Sequence, residues 1–544
     1  MNYPLTLSAI LRRMKQAVST RKVFTQTNQG KIHCYSYGDC YRRVCQLAHA
    51  LNRLNLKPGD RVGTLAWNTF QHFELYFAVP CWGGVLHTLN LRLSSEQLIY
   101  MIDEAQDQVI FVDETLLPLL EKIAPKLSSV KSYVLMGGDR SQKTTLSPVF
   151  YYEDLLEAGF DCFDWPELHE EMAAGLCYTS GTTGHPKGVL YSHRSQYLHA
   201  MAVCLVDTLG LSARDTVMPV VPMFHANAWG LPYAAVLVGA QLAFPGPFLK
   251  AIDLASFLQE VSVTVAAGVP TLWLGLFQEL KTGQYKTDHL QRLVVGGAAM
   301  PRSLIESFEK ELGISIIHAW GMTELSPLGT TTAGLRFDSS DSQIYDQKAK
   351  QGLPAPGLEV RILGDLPRDL NEELPWDGKT PGKLQVRGPW VVSSYFQASH
   401  PALLTQDGWF DTGDISTIDP QGCIHLVDRS KDLIKSGGEW ISSMALENAL
   451  MAHPEVMEAV VVAMPDQKWG ERPLAWVVLK NKSVSTLPVK TLKDKLQIEL
   501  SKTFAKFWIP EKIDFVQEIP KTSIGKFDKK KIREQVLKEQ TGLN

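Results

Sequence analysis

Cysteine is scarce and scattered. The 544 residues carry eight (Cys34, Cys40, Cys45, Cys81, Cys162, Cys177, Cys204 and Cys423), with no Cys-x-x-Cys pair and no histidine cluster at zinc-ligand spacing. That pattern argues against a zinc site or a disulfide framework, and buried thiols of a reducing compartment are expected. A charge excess is lacking too: 54 basic against 58 acidic residues leave a formal charge of -4, which offers nothing to a polyanion, so no nucleic-acid partner is expected. No clean membrane span is present, because the most apolar stretch, Trp229 to Phe248, is interrupted by Pro232, Gln241, Pro245 and Pro247; it reads as buried core. The N-terminal stretch with Arg12, Arg13 and Lys15 lacks the apolar core and small-residue cleavage site of a signal peptide, and a cytoplasmic location is expected. Internal repeats and low-complexity tracts are absent as well.

What is there is length enough for two or more folding units. From about Tyr35 to Val112 short apolar runs (Val62 to Ala66, Val109 to Val112) alternate with helical patterns such as Cys40 to Leu54, and the alternation recurs from Val217 to Val295. This predicts α/β architecture with largely parallel strands. After Lys383 the runs Leu384 to Val386 and Ile424 to Val427, linked by Gly- and Asp-rich turns, predict a small β unit. Beyond a boundary at about Asp428 to Asp432, helices over Ser443 to Met451 and Val489 to Ser501 and strands over Val456 to Ala463 and Leu474 to Leu479 predict a small α+β domain. The expected division is 1–428 and 429–544.

The densest chemical signal is YTSGTTGHPKG, Tyr178 to Gly188. Thr179, Ser180, Thr182 and Thr183 bring hydroxyls, Gly181, Gly184 and Gly188 permit close backbone approach, and Lys187 adds a cation, so the segment can surround phosphate oxygens with donors. It is not the pattern G-x-x-x-x-G-K-[ST], because Pro186 stands where that needs glycine and Gly188 where it needs Ser or Thr.

This string resembles the signature loop of the adenylate-forming superfamily, which holds acyl-CoA synthetases, luciferases and nonribosomal-peptide adenylation domains. Segments similar to that family's other motifs follow in order: PMFHANAW (Pro222 to Trp229), GGAAMP (Gly296 to Pro301), HAWGMTE (His318 to Glu324), WFDTGD (Trp409 to Asp414), VDRSKDLIKSGGEWI (Val427 to Ile441) and IPKTSIGKFDKKKIR (Ile519 to Arg533). The resemblance therefore covers nearly the whole chain. It implies ATP, Mg²⁺ and coenzyme A as cosubstrates and cofactor, and a small-molecule carboxylic acid as partner. Thr179 to Gly184 and Lys187 would hold phosphates, with Thr179 and Glu324 at the metal. Gly297, Ala298 and Trp320 would bound the adenine, Trp320 standing where tyrosine is common. Thr323 would meet the α-phosphate, and Asp414 with Arg429 the ribose hydroxyls. His225 would border the carboxylate and Trp229 the acyl pocket, although taken alone each reads equally as a structural histidine and a core tryptophan.

The resemblance also implies a C-terminal domain that turns about a hinge at Lys431, withdrawing Lys526 after adenylation and bringing Gly438 and Trp440 toward the pantetheine channel. Ile524 replaces the commoner threonine beside the Gly525-Lys526 pair, and Lys383 stands where glutamate is more usual. Lys529, Lys530 and Lys531 are expected to form a solvated face. HANAWGLPYA and KSGGEWIS are similar to the medium- and long-chain fatty acyl-CoA synthetases. A ligase for a short or sulfur-containing acid, an acyl-AMP ligase loading a carrier protein, a luciferase-like oxygenase and a silent acyl-nucleotide binder are the alternatives. Peripheral membrane contact and a homodimer stay open.

Overall fold

The computed structural model describes residues 2–138, 142–179, 186–336, 341–364, 372–397, 403–436, 439–480, 489–521 and 527–541. Within them the apolar runs of the first third become parallel strands: Ser132–Met136, Asp107–Asp113, Arg61–Leu65, Val85–Thr88 and Ala173–Tyr178 lie side by side in a seven-stranded sheet, closed at one edge by the antiparallel Gly188–Ser192. A nine-stranded sheet repeats the arrangement, with Gln241–Phe244, Thr216–Pro219, Val265–Gly268, Arg292–Val295 and Ser315–Gly321 parallel at its centre and antiparallel strands at its edges. Strands covered on both faces need no polar alternation, which is why VAAG and LVV read as unbroken apolar runs.

The helix Phe70–Trp82 is buried from His72 to Trp82, so it carries apolar residues all round rather than on one stripe. Its one carboxylate, Glu74, is wholly buried and held by Arg43 at 2.7 Å and the Tyr152 hydroxyl at 2.6 Å. The stretch from Trp229 to Phe248 is core, as expected: it forms the helix Leu231–Val238, buried from Leu231 to Val236, and the strand Gln241–Phe244. Among the described residues no helix is long and apolar enough to cross a membrane. The thiols depart from expectation at two positions, since Cys34 and Cys162 are exposed.

The small β unit is a four-stranded antiparallel sheet of Glu359–Leu363, Gly382–Arg387, Phe410–Ile418 and Ile424–Arg429. The C-terminal α+β unit follows, with helices Ser443–Met451, Val489–Ser501 and Lys529–Thr541 and a sheet built on Val456–Asp466 and Gly470–Leu479. Leu446, Leu450, Val461, Val477, Leu492 and Leu496 make its own core. The two units meet where the buried Asp428 carboxylate accepts the Ser443 N–H at 2.6 Å and the Ser443 hydroxyl at 2.5 Å.

Lys529 does not lie on a solvated face. Its ammonium donates to Glu447 at 2.8 Å and to the Ser443 hydroxyl at 2.6 Å, with little of either charged side chain exposed. Three consecutive lysines read as one surface in sequence, but on a helix successive residues point 100° apart and one of the three faces inward. Lys530 and Lys531 are exposed. Burial pushes the Glu447 carboxyl up to about 7 against the pull of Lys529. The Lys529 ammonium is disfavoured by its own burial, yet Glu447, Asp428 and Asp432 outweigh that and raise its pKa.

Candidate active site

Parallel α/β sheets leave their functional loops at the carboxyl ends of the strands. Here the segments after Thr216–Pro219, Arg292–Val295, Ser315–Gly321 and Ala173–Tyr178 open onto one cavity of about 670 Å³, whose far wall is the four-stranded sheet and the start of the C-terminal unit. Thr179, Lys187, His225, Trp229, Gly297, Trp320, Thr323, Glu324, Arg429 and Lys431 all line it. Ten residues chosen from the sequence, spread over more than 250 positions, therefore face a single space. Asp414 is buried and does not itself line the cavity, but it touches the lining residues Trp320 and Arg429.

Trp320 presents a flat face because of what lies behind it. A Cβ on Gly329 would come within 2.5 Å of the Trp320 ring, so glycine lets the ring lie against the neighbouring strand. The Trp320 indole N–H donates to Asp414 at 3.0 Å, and Arg429 stands 3.5 Å from the other carboxylate oxygen. Asp414 is thereby aimed from two sides. Its partner Arg429 is also its cross-strand neighbour in the sheet.

The phosphate-loop candidate is closed at its base: the Thr179 N–H donates to the Lys187 carbonyl at 2.9 Å, and the Lys187 N–H to the Thr179 hydroxyl at 3.2 Å. Beside it, Thr323 and Glu324 form a buried 3₁₀ turn. The Tyr191 hydroxyl holds the Thr323 carbonyl at 2.8 Å, and the Val392 N–H holds that of Glu324 at 2.9 Å. Lys431 is exposed at its outer part, and desolvation together with the neighbouring Arg429 and Arg533 lowers its pKa.

His225 and Trp229 flank an unusual turn. Ala226, Asn227, Ala228 and Trp229 all have positive φ, between 43° and 56°. Left-handed backbone costs non-glycine residues about 1–2 kcal/mol each, so such a run survives only where surrounding bonds over-determine it. Asn227 supplies them: its amide oxygen accepts from the Tyr76 hydroxyl and the Cys177 thiol, both at 3.4 Å, and its amide nitrogen donates to Gln196 at 3.3 Å. The turn delivers the Trp229 ring against Gly296, where a Cβ would approach it to 3.0 Å. Beyond Trp229 the cavity wall is apolar, with Val203, Leu209, Val294 and Leu328.

Ser180, Gly181, Thr182, Thr183, Gly184, Gly438 and Lys526 lie outside the described residues. Ala298 lines a second cavity, of about 330 Å³, together with Met451, Met457 and Phe527 of the C-terminal unit. Trp440 sits on the hairpin formed by Ile434–Ser436 and Glu439–Ile441 and does not line either cavity. The sequence reading missed Tyr395, which lines the main cavity and donates from its hydroxyl to Glu324 at 2.8 Å. It also assigned no chemistry to Lys383, another lining residue. The departure from glutamate at 383 was a usable signal; nothing in the sequence around Tyr395 sets it apart.

A family model described as AMP-binding enzyme matches residues 13–396, and one described as AMP-binding enzyme C-terminal domain matches residues 445–526. The chain is 43% identical to the 3-methylmercaptopropionyl-CoA ligase of Ruegeria lacuscaerulensis, across 100% of this chain and 99% of that protein. It is 42% identical to a medium-chain-fatty-acid–CoA ligase of Ectopseudomonas oleovorans and 43% identical to a long-chain-fatty-acid–CoA ligase of Thermus thermophilus, each across 98% of this chain and 96% of the relative. Among solved structures, the anthranilate CoA ligase AuaEII in complex with anthranoyl-AMP superimposes with a TM-score of 0.87 at 25% identity, covering 99% of both chains.

Proposed function

The chain belongs to the AMP-binding enzyme family and is an AMP-forming acid–thiol ligase, and on that premise we propose that it activates a medium- or long-chain fatty acid as acyl-AMP and transfers the acyl group to coenzyme A. The observation that carries this reading is the single cavity with two unlike ends: a polar end with Trp320, Asp414 and Arg429 beside Thr323 and Glu324, and an apolar end behind Trp229.

In the first half-reaction a substrate carboxylate oxygen attacks the α-phosphorus of ATP, and the bond to pyrophosphate breaks. Thr323, Lys187 and, from the family resemblance, Lys526 would stabilise the charge that develops, while Trp320, Asp414 and Arg429 hold the nucleoside in line. His225 would border the reacting carboxylate. The residues present suit Mg²⁺, which is bound by one or two carboxylates plus phosphate oxygens rather than by a closed protein cage. Glu324 brings one carboxylate and Thr179 a hydroxyl to the same cavity. When bound, the ion would neutralise phosphate charge. In the second half-reaction the CoA sulfur attacks the acyl carbon, the bond to AMP breaks and the thiol proton is released. For this step the C-terminal domain would turn about Lys431, and the division at 428/429 is part of the same proposal.

The relative that ligates 3-methylmercaptopropionate is as similar as the fatty-acid ligases, so a short or sulfur-containing acid is the second reading. AMP release with ATP, Mg²⁺ and acids from acetate to palmitate, with a thioether acid included and CoA present or withheld, separates them. A CoA-dependent thioester with an optimum at medium or long chains is expected. An optimum at the thioether acid replaces the fatty acid, and adenylate without thioester points to a carrier-protein acceptor.

Two substitutions test the two ends. Trp229→Ala opens the wall against Gly296 and should shift the optimum toward longer acids, with KM for the parent's best acid raised. Gly329→Ala drives a methyl into the Trp320 ring, an overpacking worth about 1–3 kcal/mol, so KM for ATP should rise about tenfold or more with little change in KM for the acid.

A further inference from the structure

We infer that Tyr395 is a positioning residue of the adenylation site, keeping the phosphate-loop lysine and the metal-ligand carboxylate apart and each in its working place. The inference rests on the reading of Glu324 as the Mg²⁺ ligand. Tyr395 is fixed by the chain rather than by chance packing: it bridges Val189 in antiparallel fashion, and the next residue's N–H donates to the Gly188 carbonyl at 2.8 Å. That places it beside the strand that follows Lys187. The Lys187 ammonium lies over the Tyr395 ring, 4.8 Å from its centre, while the hydroxyl donates to Glu324 at 2.8 Å. Val392, three residues earlier, holds the Glu324 backbone, so one segment grips that residue at both ends.

The arrangement solves an electrostatic problem. An ammonium and a carboxylate lining one partly buried wall attract strongly, and a direct ion pair between Lys187 and Glu324 would turn both away from phosphate and metal. Among the described residues no such pair forms. The ring occupies the ammonium through its π face, and the hydroxyl occupies one carboxylate oxygen and fixes its plane. Partners of this kind behind a ligating carboxylate typically change metal affinity about 10–100-fold when removed.

Calorimetric binding of α,β-methylene-ATP, which cannot be cleaved, across a range of Mg²⁺ concentrations tests the inference without turnover. Tyr395→Phe should raise the Mg²⁺ concentration for half-maximal strengthening of binding about 10–100-fold, with metal-free affinity at the parent's value, which also certifies the fold. Tyr395→Leu should weaken metal-free binding as well, because Lys187 loses its seat and pairs with Glu324. Glu324→Gln should abolish the Mg²⁺ response. If Glu324→Gln abolishes it and Tyr395→Phe matches the parent, the positioning role is overturned alone. If Glu324→Gln keeps the parent's response, the metal reading falls and the inference with it.

Discussion

Replacing Lys526 with alanine is expected to slow acid-dependent pyrophosphate release about 10²–10³-fold, the usual loss when one preorganised donor to a developing oxyanion is deleted, while ligation of supplied acyl-AMP to CoA proceeds at the parent's rate. The resemblance puts Lys526 on the mobile loop that serves adenylation alone. Its flanking residues Lys521 and Phe527 pair as an antiparallel bridge, and Phe527 lines the smaller cavity together with Ala298 of the GGAAMP segment. Phe527, just past the undescribed residues, thus stands next to one adenine-binding candidate, Ala298. Measuring the two half-reactions separately decides the matter, since an equal fall in both would assign Lys526 a structural role instead.

The second large effect concerns stability. Lys529→Met leaves Glu447 buried without its counter-ion, and breaking such a pair from one side costs about 3–5 kcal/mol. The pH dependence follows from Glu447, whose folded pKa is raised from the ordinary 4.5 to about 7. Between those values the folded form holds a proton that the unfolded form has lost, so stability falls as pH rises through the window, and the cost is complete above it. Without Lys529 the folded pKa rises further. Urea unfolding should therefore show the variant well below the parent at pH 8 and much closer at pH 5.5. Replacing both partners, as Glu447→Leu with Lys529→Met, should restore most of the loss, because well-packed apolar residues carry no unpaired charge.

Periodicity and motif order made much of this molecule readable from sequence. The helices Ser443–Met451 and Val489–Ser501 begin and end where their patterns do, because each has one apolar face and clear breaks on both sides. That Thr179, Lys187, Thr323 and Glu324 face one cavity was foreshadowed because each sits in a short motif whose residues are close together in sequence. Contacts between distant segments were not. The Trp320–Asp414 bond joins residues 94 positions apart and Tyr395–Glu324 spans 71, and neither leaves a local trace. Lys529 was misjudged for the related reason that a lysine becomes buried only when a partner such as Glu447, far back along the chain, waits for it.

The left-handed turn from Ala226 to Trp229 bears on how this enzyme's selectivity can drift over generations. Side chains of the apolar cavity wall, such as Val203, Leu209 and Val294, can be exchanged one at a time for apolar residues of similar volume, each mutation reshaping the space. Within the turn the left-handed wells resist β-branched residues, and Asn227 is bound to three partners on separate elements. A lineage exploring new acids therefore has cheap routes along the wall and almost none through the turn, so the shape of the space can diversify while the backbone that carries His225 into the cavity is inherited intact.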